Sequence, residues 1–201
     1  GDPTNVAQMI NMISAFASSF TILFLLWSIT HLARKIIIAK YNEVSGNKIP
    51  GIIGSGIIGS LAYTFSDSFW FSAVEGEVYA MSSFFTALVF WSLLKWENVS
   101  EEKHGDRWFV LMAYFIGLSV GVHLLSLLIV PAVIFVYYFK KYKTTTKGIL
   151  SAGLVAIVVL GLMQVGVIQG VIILASKFEL FFVNALGLPF NSGIVFYILL
   201  L

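Results

Sequence analysis

Cysteine is absent from the 201 residues, so neither a disulfide framework nor a thiolate metal site is available, and the redox compartment leaves no trace. Charge is scarce as well: Asp, Glu, Lys and Arg make up 11% of the chain, too little to cover a soluble globule. No pair of histidines, and no histidine with an acid, has metal-ligand spacing, so no bound metal and no cofactor is expected. The glycines at 51, 54, 56 and 59 are not followed by Lys-Ser or Lys-Thr, which excludes a phosphate loop. Nothing repeats at a fixed period, no segment is long enough for a separate soluble domain, and a net charge of +2 gives no reason to expect nucleic acid as a partner. What the chain has in quantity is apolar surface. With 59% hydrophobic residues and a mean hydropathy of +0.94, it carries more than a globule of this size could bury. The expectation is an all-α polytopic membrane helix bundle with the lipid bilayer as its surroundings.

Helix spans follow from the runs. Residues 4–38 begin in a Pro/Thr/Asn cluster and end at Arg34 and Lys35, with Asn11, Ser14, Ser18 and Thr21 forming a polar stripe at helical spacing suited to packing. A second span covers 49–65, whose glycines let helices approach closely, and a third covers 79–96. Residues 107–139 are apolar throughout, and as one straight helix would reach about 50 Å, beyond a hydrocarbon core of about 30 Å. Either a long tilted or kinked helix or a hairpin broken near 117–121, at Gly117-Leu-Ser-Val-Gly121, would accommodate it.

Charge favours the hairpin. With spans at 107–120 and 122–139, every Lys and Arg except Lys177 falls on one side, which the positive-inside rule makes cytoplasmic. The other side then holds Asp2, Asp67, Glu75, Glu77 and Glu179. The sequon Asn98-Val-Ser100 falls on the basic side and is discounted as a glycosylation site. A span at 149–176, an amphipathic outer-surface segment at 177–190 and the start of another span at 191–201 complete the reading: six spans and the beginning of a seventh. Because the chain opens Gly1-Asp2-Pro3 and stops inside an apolar run, it reads as an internal piece of a longer protein.

The residues between 66 and 96 concentrate what charge there is among aromatics. Asp67, Trp70, Glu75, Glu77 and Tyr79 lie at the mouth of the third span, and the hairpin tip brings His123 to a similar depth. Ionisable groups at that depth point to function. Carboxylates accept hydrogen bonds from sugar hydroxyls, and aromatic rings cover the apolar face of a pyranose. Glu75 and Glu77 would stand about 200° apart on a helix, so only one could face a pocket. Glu77, nearer the span, is the first choice, with Glu75 holding the loop or contacting an acceptor. His123 either binds a phosphate as imidazolium, acts as a base, or is simply hydrogen-bonded to a neighbour. His31 and His104 are expected to have no specific role.

Long stretches resemble one family. FSDSFWFSAVEGEVYAMSSFFTALVFWSLLKWE followed by DRWFVLMAYFIGLSVGVHLLSLLIVPAVIFVYYFKKY is similar to the protein O-mannosyltransferase-like membrane proteins common in Bacteroidetes, glycosyltransferase family 117. The opening 35 residues and SKFELFFVNALGLPFNSG resemble it too. The resemblance implies a GT-C architecture in a bacterial inner membrane, with the active face periplasmic. It also implies a polyprenyl-phosphate sugar, mannose by the family's name, as donor and Ser or Thr of an exported protein as acceptor. The VExEVYA-like segment falls on Val74 to Ala80, giving Glu75, Glu77 and Tyr79 a site role. The GLSxGVHLL-like turn falls on Gly117 to Leu125, beside His123.

Members of this architecture carry a catalytic acid in the first outer loop, and this chain begins beyond that loop, so the main acid is expected upstream of Gly1 and the piece alone is expected to be inactive. In the inverting displacement implied for the whole enzyme, that acid takes the proton of the acceptor hydroxyl and the lipid phosphate leaves. Lys177, the one outward cation, either contacts the leaving phosphate or snorkels to the interface. Two other classes stay open: a transporter or lipid flippase, for which Gln164 and Gln169 within a span speak, and a noncatalytic subunit of the same fold.

Overall fold

The computed structural model describes residues 3–201, with side chains from Asn5 onward; Asp2, counted above among the outer acids, lies outside the described residues. Every regular element among them is helical, as expected for a membrane helix bundle. The chain divides into two compact units, Gly1–Thr144 and Thr145–Leu201.

The first unit contains α1 (Pro3–Tyr41), α2 (Ile49–Thr64), α3 (Asp67–Val74), α4 (Val78–Val99), α5 (Arg107–Val122) and α6 (Ile129–Lys141). α4 is the hub, with α1 packed along it and α5 and α6 against it, while α1 also carries α2 and α3. α1 meets its neighbours through Ser14, Ala17, Ser18, Thr21 and Ser28, all buried and spaced by threes, fours and one double step on one face. Small side chains suit a bilayer, where helices associate by close packing and not by escape from water. Thr21 satisfies its own hydroxyl by donating to the Ala17 carbonyl at 2.8 Å. Asn11, expected in the same stripe, is exposed. On α2, Gly56 faces Thr30 and Leu26 of α1 so closely that a Cβ there would overlap them, which accounts for one of the glycines in that span. Large apolar side chains such as Phe16, Ile58 and Val110 face outward, the arrangement of a surface solvated by lipid.

Four helical stretches are long and apolar enough to cross a membrane, and a fifth if α2 and α3, bent by 69°, count as one. α2 and α5 have 16 residues each, a rise of about 24 Å. The six complete spans expected from sequence therefore require both of these short helices to cross.

The break in 107–139 is real but displaced. Gly117 and Gly121 lie inside α5, and the helix ends only at His123, whose backbone is extended (φ −161°, ψ 135°). A 3-10 turn over Leu124–Leu128 then leads into α6. Pro131 explains the position: in the first turn of α6 its missing N–H costs nothing, whereas deeper in a helix it would break one. The chain does return, because the Lys141 ammonium at the end of α6 donates to the Ser100 carbonyl at 2.9 Å and pairs with Glu101 at 2.8 Å. The Lys141 hydrogen bond holds the Glu101 carboxyl below its ordinary value, but Glu101 is 75% exposed and such a pair contributes little stability. At the same end Lys35 pairs with Glu97, and Trp96 is sealed between Phe109 and Tyr137.

The second unit contains α7 (Thr146–Gly161), a π-helical stretch over Leu162–Gln169, α8 (Gly170–Asn184) and α9 (Ser192–Leu200). The boundary expected at 176/177 does not exist: apolar residues continue with helical register, and the chain stays helical from Thr146 to Asn184. The 177–190 segment is thus helix to Asn184 and a turn after it. α8 and α9 are joined by one carboxylate. Glu179 accepts from the Asn191 N–H at 2.5 Å and the Ile194 N–H at 3.1 Å, doing the work of an N-cap for α9 from a neighbouring helix. Gly193 lets the two backbones touch, since a Cβ there would overlap the Phe178 carbonyl. Glu179→Gln keeps the shape and removes the charge at the helix N-terminus, so it should destabilise the α8–α9 pairing by about 1 kcal/mol. Limited proteolysis of the 185–191 turn would detect this as faster cleavage, and an unchanged rate would refute the tie.

Candidate functional site

At the end of the first unit away from the basic cluster, α1, α4 and α5 leave a groove of about 480 Å³. Ile10, Ile13 and Ser14 form the α1 wall, Val78 and Met81 the α4 wall, and Val122 closes it from α5. The rim is Gly76 and Glu77, and among the described residues Glu77 is the only charged one lining the groove. The volume is that of a small-ligand site, mostly apolar, with the Ser14 hydroxyl and the Glu77 carboxylate as its polar side chains.

Glu77 owes its place to the way α3 gives over to α4. α3 ends when the Glu75 N–H donates to the Phe71 carbonyl at 3.1 Å. Glu75 (φ −97°, ψ 144°) and Glu77 (φ −115°, ψ 167°) are both extended, so the 200° separation expected on a helix does not apply. Gly76 between them sits against Ile10 and Asn11 of α1, where any Cβ would overlap their side chains. That close approach presses the link onto α1 and sets Glu77 at the groove, while Glu75 stays exposed and outside the lining. Glu77 occupies the cap position of α4 but makes no side-chain bond to its N–H groups, so its carboxylate is uncommitted.

Tyr79 and His123 pair beside the groove, ring centroids 5.3 Å apart at 51°. His123 caps the 3-10 turn by accepting the Leu125 N–H on Nδ1 at 3.1 Å. A ring that accepts on Nδ1 carries its proton on Nε2, so it offers a donor there. The base and imidazolium roles both require giving up the Leu125 bond, and the geometry fits a neutral histidine donating to an oxygen.

Asp67 and Trp70 are not brought to the groove. α3 buries Phe69 against Tyr63, centroids 4.6 Å apart, and the helical rotation carries Asp67 and Trp70 to other faces. Trp70 instead stacks on Phe65 at 6.1 Å. Lys177 is exposed on α8 of the second unit. Gln164 and Gln169 both fall in the π-helical stretch. Ser14, Met81 and Val122 line the groove without having been singled out for it, Ser14 because the same small hydroxyl residues also serve packing.

The family model described as the protein O-mannosyl-transferase TMEM260 N-terminal domain matches residues 1–146. The chain belongs to that family. No curated protein and no solved structure matches. The match covers the whole of the first compact unit, Gly1–Thr144, and ends two residues beyond it. SKFELFFVNALGLPFNSG, part of the resemblance seen in the sequence, lies beyond the matched residues. Membership in a protein O-mannosyl-transferase family, together with several long apolar helices, supports a glycosyltransferase role on proteins in a membrane setting.

Proposed function

We propose that the chain is part of a GT-C glycosyltransferase of a bacterial inner membrane that moves mannose from a polyprenyl-phosphate donor to Ser or Thr of exported proteins. The observation that carries this reading is the groove lined, among the described residues, by Glu77 as its one charged group, set in the domain that the TMEM260 family model matches. A carboxylate at an apolar groove fits a sugar whose hydroxyls need acceptors and whose ring face needs cover. The Tyr79–His123 pair adds an aromatic surface and an Nε2–H donor within the same neighbourhood. In the proposed reaction the acceptor oxygen attacks the anomeric carbon and the bond to the lipid phosphate breaks. The phosphate leaves with the bonding electrons, and the acceptor's proton passes to a general base.

The groove end is taken as periplasmic because the basic residues gather at the other end, which the positive-inside rule assigns to the cytoplasm. Lys177 is retained as a candidate contact for the leaving phosphate, and Asp67 and Trp70 as candidate acceptor-side contacts, while Glu75, exposed and outside the groove, is given the loop-holding role. A transporter would place its polar groups near the bilayer midplane, whereas Glu75, Glu77 and Asp67 all belong to one end of the first unit.

The test uses membranes containing the full-length protein, a polyprenyl-phosphate mannose carrying radiolabel, and an exported acceptor protein. Label that appears on the acceptor and is released by β-elimination is the expected result. Absence of such label above control membranes would overturn the reading.

A further inference from the structure

The basic end of the first unit holds a second cavity, of about 350 Å³, between α1, α2 and α4. Two cations line it from different helices, Arg34 from α1 and Lys95 from α4, and among the described residues no carboxylate lines it. Glu97, the acid of this part of α4, is held by Lys35. Arg34 has no acid partner among the described residues, and Lys95 rests over the Trp91 ring at 5.3 Å, a contact that leaves its ammonium free to meet an anion. His31 lines the cavity as well, its Nε2 buried without a hydrogen-bond partner. Trp27 and Trp91, centroids 5.7 Å apart, and Ile52 supply an apolar wall.

The chemistry is therefore that of an amphiphile with a negative head: two cations for the charge, indole faces for the first carbons below it. Basic pockets between membrane helices recognise lipid headgroups in this manner. We infer that this cavity, separate from the Glu77 groove, binds the phosphate headgroup of an anionic lipid from the leaflet at the basic end. Arg34 and Lys95 carry the charge recognition, and the His31 ring forms part of the wall. The site does not depend on the sugar-transfer reading, since none of its residues belongs to the groove.

Trp27 and Trp91 give the experiment its own reporter. The full-length protein is placed in nanodiscs, and tryptophan emission is compared between phosphatidylglycerol and phosphatidylcholine, each brominated high in the acyl chain. Stronger quenching by the phosphatidylglycerol is expected, and the Arg34→Gln/Lys95→Gln double variant should lose the difference, with apparent affinity falling roughly fivefold per cation removed. An Arg34→Lys/Lys95→Arg double variant keeps the charge and should keep the difference, which separates lost recognition from lost folding. Addition of inorganic phosphate distinguishes the sources: an undisturbed difference supports a lipid ligand, and its reversal would overturn the lipid in favour of free phosphate. Equal quenching by the two lipids, or a preference that survives the double Gln variant, would also overturn the proposal.

Discussion

Glu77→Gln lowers sugar transfer by the full-length protein by about a hundredfold or more while the protein folds normally, and Glu75→Gln leaves the rate near that of the parent. The magnitude is that of losing one preorganised charged contact at a reacting substrate. The contrast follows from placement. Glu77 lines the groove and makes no capping bond, so the neutral isostere deletes charge at the substrate without loosening α4. Glu75 is exposed, lies outside the lining, and contributes to the fold through its backbone N–H, which glutamine retains. Initial rates of label transfer at several donor concentrations decide the matter. A raised KM with unchanged kcat would mean that Glu77 holds the sugar equally in ground and transition states, and a fall in kcat would mean that it acts on the departing mannosyl group. A normal rate for Glu77→Gln would remove Glu77 from the site.

The helical class was legible because apolar runs of bilayer length admit no other backbone solution. Glu77 was preferred to Glu75 as the one nearer the span, and it does stand at the cap position of α4. The helical rotation expected to separate the two does not apply, because their link is extended, and Gly76 between them sits against Ile10 and Asn11. That contact joins residues more than sixty positions apart and leaves no periodic signal. The break in the long apolar run was legible in existence but not in place. Two glycines suggested 117–121, although glycine only weakens a helix, whereas Pro131 dictates that one must begin just before it. For His123 the sequence left a phosphate contact, a base and a plain hydrogen bond to a neighbour open, and the last is seen, with Nδ1 capping the turn that precedes Pro131. The basic cavity was missed for a related reason. His31, Arg34 and Lys95 each looked like ordinary interfacial residues, and only the packing of α1 on α4 puts them around one space.

Trp96→Ala should be the most damaging substitution in the first unit, costing about 3 kcal/mol, whereas Trp96→Phe should stay within about 1 kcal/mol of the parent. Trp96 is completely buried on α4, with its ring 4.6 Å from Phe109 of α5 and 5.6 Å from Tyr137 of α6. Removing the ring leaves a void where three helices meet. In a bilayer that loss is chiefly of dispersion contacts, which places the cost at the lower end of the usual range for Trp→Ala. Phenylalanine refills most of the space and also removes a liability, because the Trp96 Nε1–H is buried with no acceptor. The lost volume and the relieved donor act in opposite directions, so the two variants should separate clearly. Denaturant unfolding of the full-length protein in mixed micelles, followed by far-UV circular dichroism, measures both. If Trp96→Phe costs as much as Trp96→Ala, the Nε1–H has a partner, such as an ordered water, whose loss matters more than volume. If neither variant shifts the midpoint, the α4–α5–α6 junction is not what limits stability. The return of α6 to α4 would then rest on the Ser82–Ser126 hydroxyl pair at 2.9 Å and the Lys141 bond to Ser100.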